Sequence, residues 1–189
     1  VQSYAKYIRL TDQRPENQYR YGAFLFLGKK YDDAIQVLNS LPASYSNSFR
    51  YRLLSYCLAE KQMYADGLTN IETFFSKTDS SKYLASDFQY YGKLLIESGK
   101  DTSKGLQVLV KAVNLDSSKI TLISEYGKKF FDAKRFALAA EAYQIVINKG
   151  KKTNQDYFNL GNAYYFGKEY VKADTIYSQL LVLQPQSLM

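Results

Sequence analysis

The sequence predicts an all-α protein, a solenoid of stacked antiparallel helix pairs, and three observations carry that expectation. Apolar residues recur at the helical period instead of alternating as they would in strands. Small residues return at a fixed long interval along the 189-residue chain. Short breaks rich in glycine and lysine then divide the pattern into pairs of helices.

The interval comes first, because self-similarity at this length marks a repeat array. Gly22, Ser55, Gly92, Gly127 and Gly161 are the first small residues, and Ala34, Gly67, Gly105, Ala139 and Ala173 are the second. Neighbouring marks lie 33 to 38 residues apart; within a repeat the two are 12 apart, or 13 in the third. Repeats are therefore expected at about residues 15–47, 48–79, 80–118, 119–152 and 153–187. Residues 1–14, with Tyr4, Ile8 and Leu10, read as the second helix of an earlier repeat. Together with the stop soon after Pro185, this predicts a segment of a longer protein.

Each element has its own signal. In the first helix of a repeat the apolar face runs through Tyr51, Leu54 and Leu58; Phe88, Tyr91 and Leu95; Ile123, Tyr126 and Phe130; or Tyr157, Leu160 and Tyr164. The second helix carries Ile35 and Leu38; Leu106, Leu109 and Ala112; Ala140, Tyr143 and Val146; or Ile176, Leu180 and Leu183. Gly28, Gly99 and Gly167 stand at the breaks and are expected at positive φ. Mid-helix glycine costs about 1 kcal/mol against alanine, so Gly22, Gly92, Gly127 and Gly161 predict close helix approach, with the second set of small residues as the matching surface. The polar run 76–82 is expected to be a longer, bending connection.

Composition removes most chemistry. A hydrophobic content of 46% with 23% charged residues fits a folded domain. No histidine is present, which excludes imidazole acid–base catalysis and Ser-His or Cys-His nucleophiles. The single cysteine, Cys57, lies in an apolar run and reads as a core residue. No apolar run reaches membrane-spanning length. Gly150-Lys151-Lys152-Thr153 lacks the glycine spacing and residue order of a phosphate loop. A surplus of 25 basic over 18 acidic residues, +7, favours acidic partners, while scattered lysines argue against a nucleic-acid footprint.

The run from Tyr157 through Leu160-Gly161, Tyr164, Gly167, Tyr170, Ala173 and Tyr177 to Pro185 resembles the tetratricopeptide repeat (TPR) family, and weaker copies cover nearly the whole chain. The resemblance implies a right-handed superhelix and a non-enzymatic scaffold without catalytic residues, metal or cofactor. It also implies a concave groove lined by the first helices. Carried over by position, the partner-binding residues are Arg52, Tyr56, Gln89, Lys93, Lys128, Phe158, Asn162 and Tyr165. The same lining takes in Tyr19, Ala23, Phe26, Ala59, Ile96, Ser124 and Phe131, with Tyr90, Glu125 and Asn159 at its edge. Three cations in that set imply a protein or peptide ligand bearing carboxylates. The family's chaperone-tail clamp is not completed, since Phe158 stands at its first lysine site. Two alternatives remain: self-association through open solenoid ends exposing Ile176, Leu180 and Leu183, and an RNA-binding helical repeat, which lacks the pairing of motifs seen here.

Overall fold

A computed structural model of the chain describes residues 14–150 and 153–183. The helix expected before residue 14 and the closing Pro185 lie outside the described residues. Those residues hold ten α-helices and no strand: α1 Pro15–Leu27, α2 Tyr31–Asn39, α3 Phe49–Glu60, α4 Tyr64–Lys77, α5 Ala85–Glu97, α6 Thr102–Leu115, α7 Ile120–Asp132, α8 Phe136–Asn148, α9 Asn154–Phe166 and α10 Tyr170–Leu183. Consecutive helices pack as pairs, α1 on α2, α3 on α4, α7 on α8 and α9 on α10.

The chain forms two compact bodies, one through Val108 and one from Leu109, with the division inside α6. In the first, Leu25, Leu38, Leu54, Cys57 and Leu58 form one buried cluster, and Leu68, Ile71, Phe74, Leu94 and Leu95 another. In the second, Ile123, Tyr126, Phe130, Ala139, Tyr143, Val146 and Leu160 are buried. Leu38, Leu54, Leu58, Leu95, Ile123, Tyr126, Phe130, Tyr143, Val146 and Leu160 belong to the stripes that the helical period marks, whereas Leu183 of the last stripe is exposed. Burying each such side chain contributes roughly 1.5–3 kcal/mol.

The turns depart from expectation. Gly99 takes φ +71°, but Gly28 and Gly167 stay at −80° and −76°. Positive φ falls one residue later, on Lys29 and Lys168, and equally on Gln62 and Lys134. The reason lies in the hydrogen bonds. Lys134 N donates to Phe131 O at 2.9 Å and Arg135 N to Phe130 O at 2.8 Å, which is the Schellman pattern with lysine at its left-handed position. Lys29, Gln62 and Lys168 repeat it. The glycine before the lysine caps the helix without needing its conformational freedom.

The expected small-on-small match holds in the second and third repeats, where a methyl group built on Gly67 would lie 3.4 Å from Ser55 O and one on Gly105 3.0 Å from Gly92 O, but the other three repeats work differently. A methyl group built on Gly127 would lie 2.7 Å from Tyr143 Cε1, and one on Gly22 would lie 2.9 Å from Leu38 Cδ2. At Gly161 the Tyr177 ring is the obstacle. Each of these three glycines seats a large side chain projecting from the second helix, four residues beyond the small mark. Of the polar run 76–82, residues 76 and 77 close α4 and the rest form a hydrogen-bonded turn. Asp79 Oδ1 accepts from Ser81 N at 2.8 Å, and Tyr83 Oη donates to Phe75 O and Thr78 O at 2.8 and 2.9 Å.

Candidate functional site

Four of the eight groove residues belong to each body. In the first body, three of them are turned to internal use. Arg52 donates from Nε and Nη2 to the two oxygens of Asp87, both at 2.7 Å, and from Nη2 to Lys82 O at 2.7 Å. Its guanidinium also lies over the rings of Phe74 and Phe49, at 4.4 and 4.8 Å. Tyr56 is buried and donates to Asp87 Oδ1 at 2.6 Å, while its ring stacks on Tyr90 at 4.0 Å. Burial, then the Asp87 charge, pushes the Tyr56 phenol far up.

Asp87 itself is completely buried. Leu84 N adds a further bond to its Oδ2, 2.7 Å, so the carboxylate receives four donors. Sequence reading passed over this residue. Lys93 is similarly engaged, 3.2 Å from Glu60 Oε1, which also accepts from Tyr90 Oη at 3.1 Å. Gln89 is half-buried on the same helix, α5.

The second body holds an open cleft of about 540 Å³. Helix α7 contributes Ser124, Glu125, Lys128, Phe131 and Asp132; α9 contributes Gln155, Asn159 and Asn162; Tyr143 of α8 forms the floor. Residues 124, 128 and 131 share one face of α7 because they are spaced at helical period, and 155, 159 and 162 do so on α9. Thr153 starts α9: its Oγ1 accepts from Asp156 N at 3.2 Å, and Asp156 Oδ2 accepts from Thr153 N at 3.1 Å. The Gly-Lys-Lys-Thr run thus ends in a helix cap.

Of the eight, Lys128 and Asn162 line this cleft, whereas Phe158 and Tyr165 are exposed outside it. Asp132, Tyr143 and Gln155 join it without having been foreseen. Lys128, one of the three cations of the predicted groove, bonds Asp132 Oδ2 at 2.7 Å. Gln155 Nε2 donates to Asn159 Oδ1 at 2.8 Å, and Tyr177 Oη to Asn162 Oδ1 at 2.7 Å. Both asparagines thereby keep their amide N–H groups for a ligand. Burial, then Asp132 and Asp156, pushes the Tyr143 phenol up to about 12, so it is a neutral hydroxyl at ordinary pH.

Phe131 joins the cleft to an aromatic cluster. Its ring meets Phe136 at 5.4 Å and Phe166 at 5.6 Å, both edge-on, and Tyr165 and Tyr170 extend the group into solvent. The outer residues of α10, Val171, Leu181, Val182 and Leu183, are exposed. Among the described residues no cluster of candidate metal ligands occurs, and no helix is long and apolar enough to cross a membrane.

Paired helices repeating along the chain, with Gly22, Gly127 and Gly161 each seating a side chain of the partner helix, define an α-helical repeat protein of the solenoid class. The profile of the tetratricopeptide repeat matches residues 16–48 and 157–187. The solved C-terminal part of a TPR repeat-containing protein from Cytophaga hutchinsonii is 34% identical over 88% of this chain, with a TM-score of 0.62; this chain spans 65% of its length. YrrB, a TPR protein with an unusual peptide-binding site, is 16% identical over 98% of this chain and 94% of its own, TM-score 0.64. MamA of Desulfovibrio magneticus RS-1 is 12% identical over 94% and 98%, TM-score 0.59. No curated protein matches the sequence. The chain is a tetratricopeptide repeat protein, of a family whose members are typically interaction modules.

Proposed function

We propose that this chain is a non-enzymatic adaptor that binds an extended segment of a protein partner in the cleft between α7 and α9. The carrying observation is the alignment there of two amide N–H donors, from Asn159 and Asn162, with an aromatic wall at Phe131, in a cleft of about 540 Å³. An extended chain offers carbonyl acceptors at regular spacing, which suits donors one helical turn apart. The floor phenol Tyr143 adds a further neutral hydroxyl. The peptide-binding site of YrrB, a protein of the same fold, favours this reading over a purely structural array.

The test is a random dodecapeptide display library panned on the wild-type chain and on the Asn159→Ala, Asn162→Ala double variant. Enriched peptides should bind the double variant more weakly by about fivefold or more, since each lost hydrogen bond costs about 0.5–1.5 kcal/mol. Equal binding by both proteins would place the site elsewhere. The double variant's far-UV spectrum should match that of the wild type.

A further inference from the structure

Resting on the peptide-binding reading above, we infer that the α7–α9 cleft selects a segment carrying a lysine or arginine side chain, not an acidic one. Counting cations along the sequence points to the opposite preference, but each counted cation already has its counter-charge. Arg52 is held by Asp87, Lys93 by Glu60 and Lys128 by Asp132. In the cleft this leaves Glu125 as the charge without a protein partner among the described residues.

Lys128 stands between two carboxylates on one helix, Glu125 three residues before it and Asp132 four after. Both lie within its reach on the same face, so one positive charge faces two negative ones. The nearby cations Lys134 and Lys168 sit on the turns after α7 and α9 and do not line the cleft.

The apolar wall points the same way. Phe131 lines the cleft and continues into the cluster with Phe136 and Phe166. An aromatic face attracts a cation through its quadrupole, and an ammonium or guanidinium stem packs its methylenes on the same ring. A peptide carboxylate would meet Glu125 and Asp132 and gain nothing from the ring. A basic side chain gains from Glu125 and Phe131 while the peptide's carbonyls accept from Asn159 and Asn162.

The experiment again uses random dodecapeptides, panned on the full wild-type chain, with Glu125→Gln and Glu125→Lys as variants. Glu125 is exposed, so neither change threatens folding. Enriched peptides should be richer in lysine and arginine than the starting library. Their affinity should fall about two- to fivefold with Glu125→Gln, the strength of a partly solvated ion pair, and further with Glu125→Lys. High salt should shrink that difference. Enrichment of aspartate and glutamate, enrichment without charge bias, or basic peptides indifferent to Glu125→Gln would overturn this inference and leave peptide binding standing. No enrichment at all would sink the peptide-binding reading and this inference together.

Discussion

A carboxylate taken out of water is stable only when donors replace the water it loses. Asp87 meets that condition with Arg52, Tyr56 and the Leu84 amide, and the same network ties α3 to the start of α5. Removing the carboxylate leaves Arg52, with 16% of its side chain exposed, without its partner. Asp87→Ala should therefore destabilise the chain by about 3–5 kcal/mol, read as a drop in ΔG from urea unfolding. A loss under about 1 kcal/mol would mean that the network orients α5 without stabilising it. Nothing in the one-dimensional pattern announces this pair. Arg52 lies three residues before its small mark and Asp87 five before the next, so only the packing of one helix on another brings them together.

Helix ends show how local chemistry and repeat geometry divide the work. Every turn between the two helices of a repeat uses the left-handed position after the first helix, yet four of the five put lysine or glutamine there. A side chain in that conformation costs about 1–2 kcal/mol, partly offset because glycine loses more backbone freedom on folding. Lys134→Gly should therefore raise stability by about 0.5–1 kcal/mol, measured as a higher urea midpoint at unchanged slope. A lower midpoint would show that the Lys134 side chain contributes more than its backbone strain costs. Glycine at 28 and 167 marked each turn correctly to within one residue. The hydrogen bonds from Lys29, Lys30, Lys168 and Glu169, not the residue types, set where φ turns positive.

For the molecule as a whole, tyrosine chemistry limits stability at alkaline pH. Burial pushes the phenols of Tyr45 and Tyr143 up to about 12 and those of Tyr56 and Tyr90 higher still, from an ordinary 10. Burial likewise raises the Cys57 thiol from 9 to about 12. Each group keeps its proton longer when folded than when unfolded, so unfolding releases protons in this range and stability falls as pH rises. The contribution is complete below pH 9, starts to fall as the unfolded thiol and phenols titrate near 9 and 10, and is lost through pH 12 and above. The urea midpoint should drop steeply between pH 10 and 12. A flat midpoint across that interval would contradict the burial of these side chains.

By itself the sequence determined the helical class, the repeat and which faces are buried, because each follows from spacing along one chain. Period 3.6 places Ile123, Tyr126 and Phe130 on one face whatever they pack against. A run of such pairs has few ways to cover those faces other than stacking. Part of the cleft was also legible, since Lys128 and Asn162 flank their small marks on first helices. The tertiary structure alone decided which charges remain available. Two carboxylates one repeat away, Asp87 and Glu60, took Arg52 and Lys93, while Lys128 pairs locally with Asp132 four residues on along α7, a spacing that the sequence itself carries. Ion pairs form between side chains that meet in space, 28 to 35 residues apart for Lys100–Glu72, Lys61–Asp32, Lys93–Glu60 and Arg52–Asp87, so net charge read along the chain cannot say which face carries it.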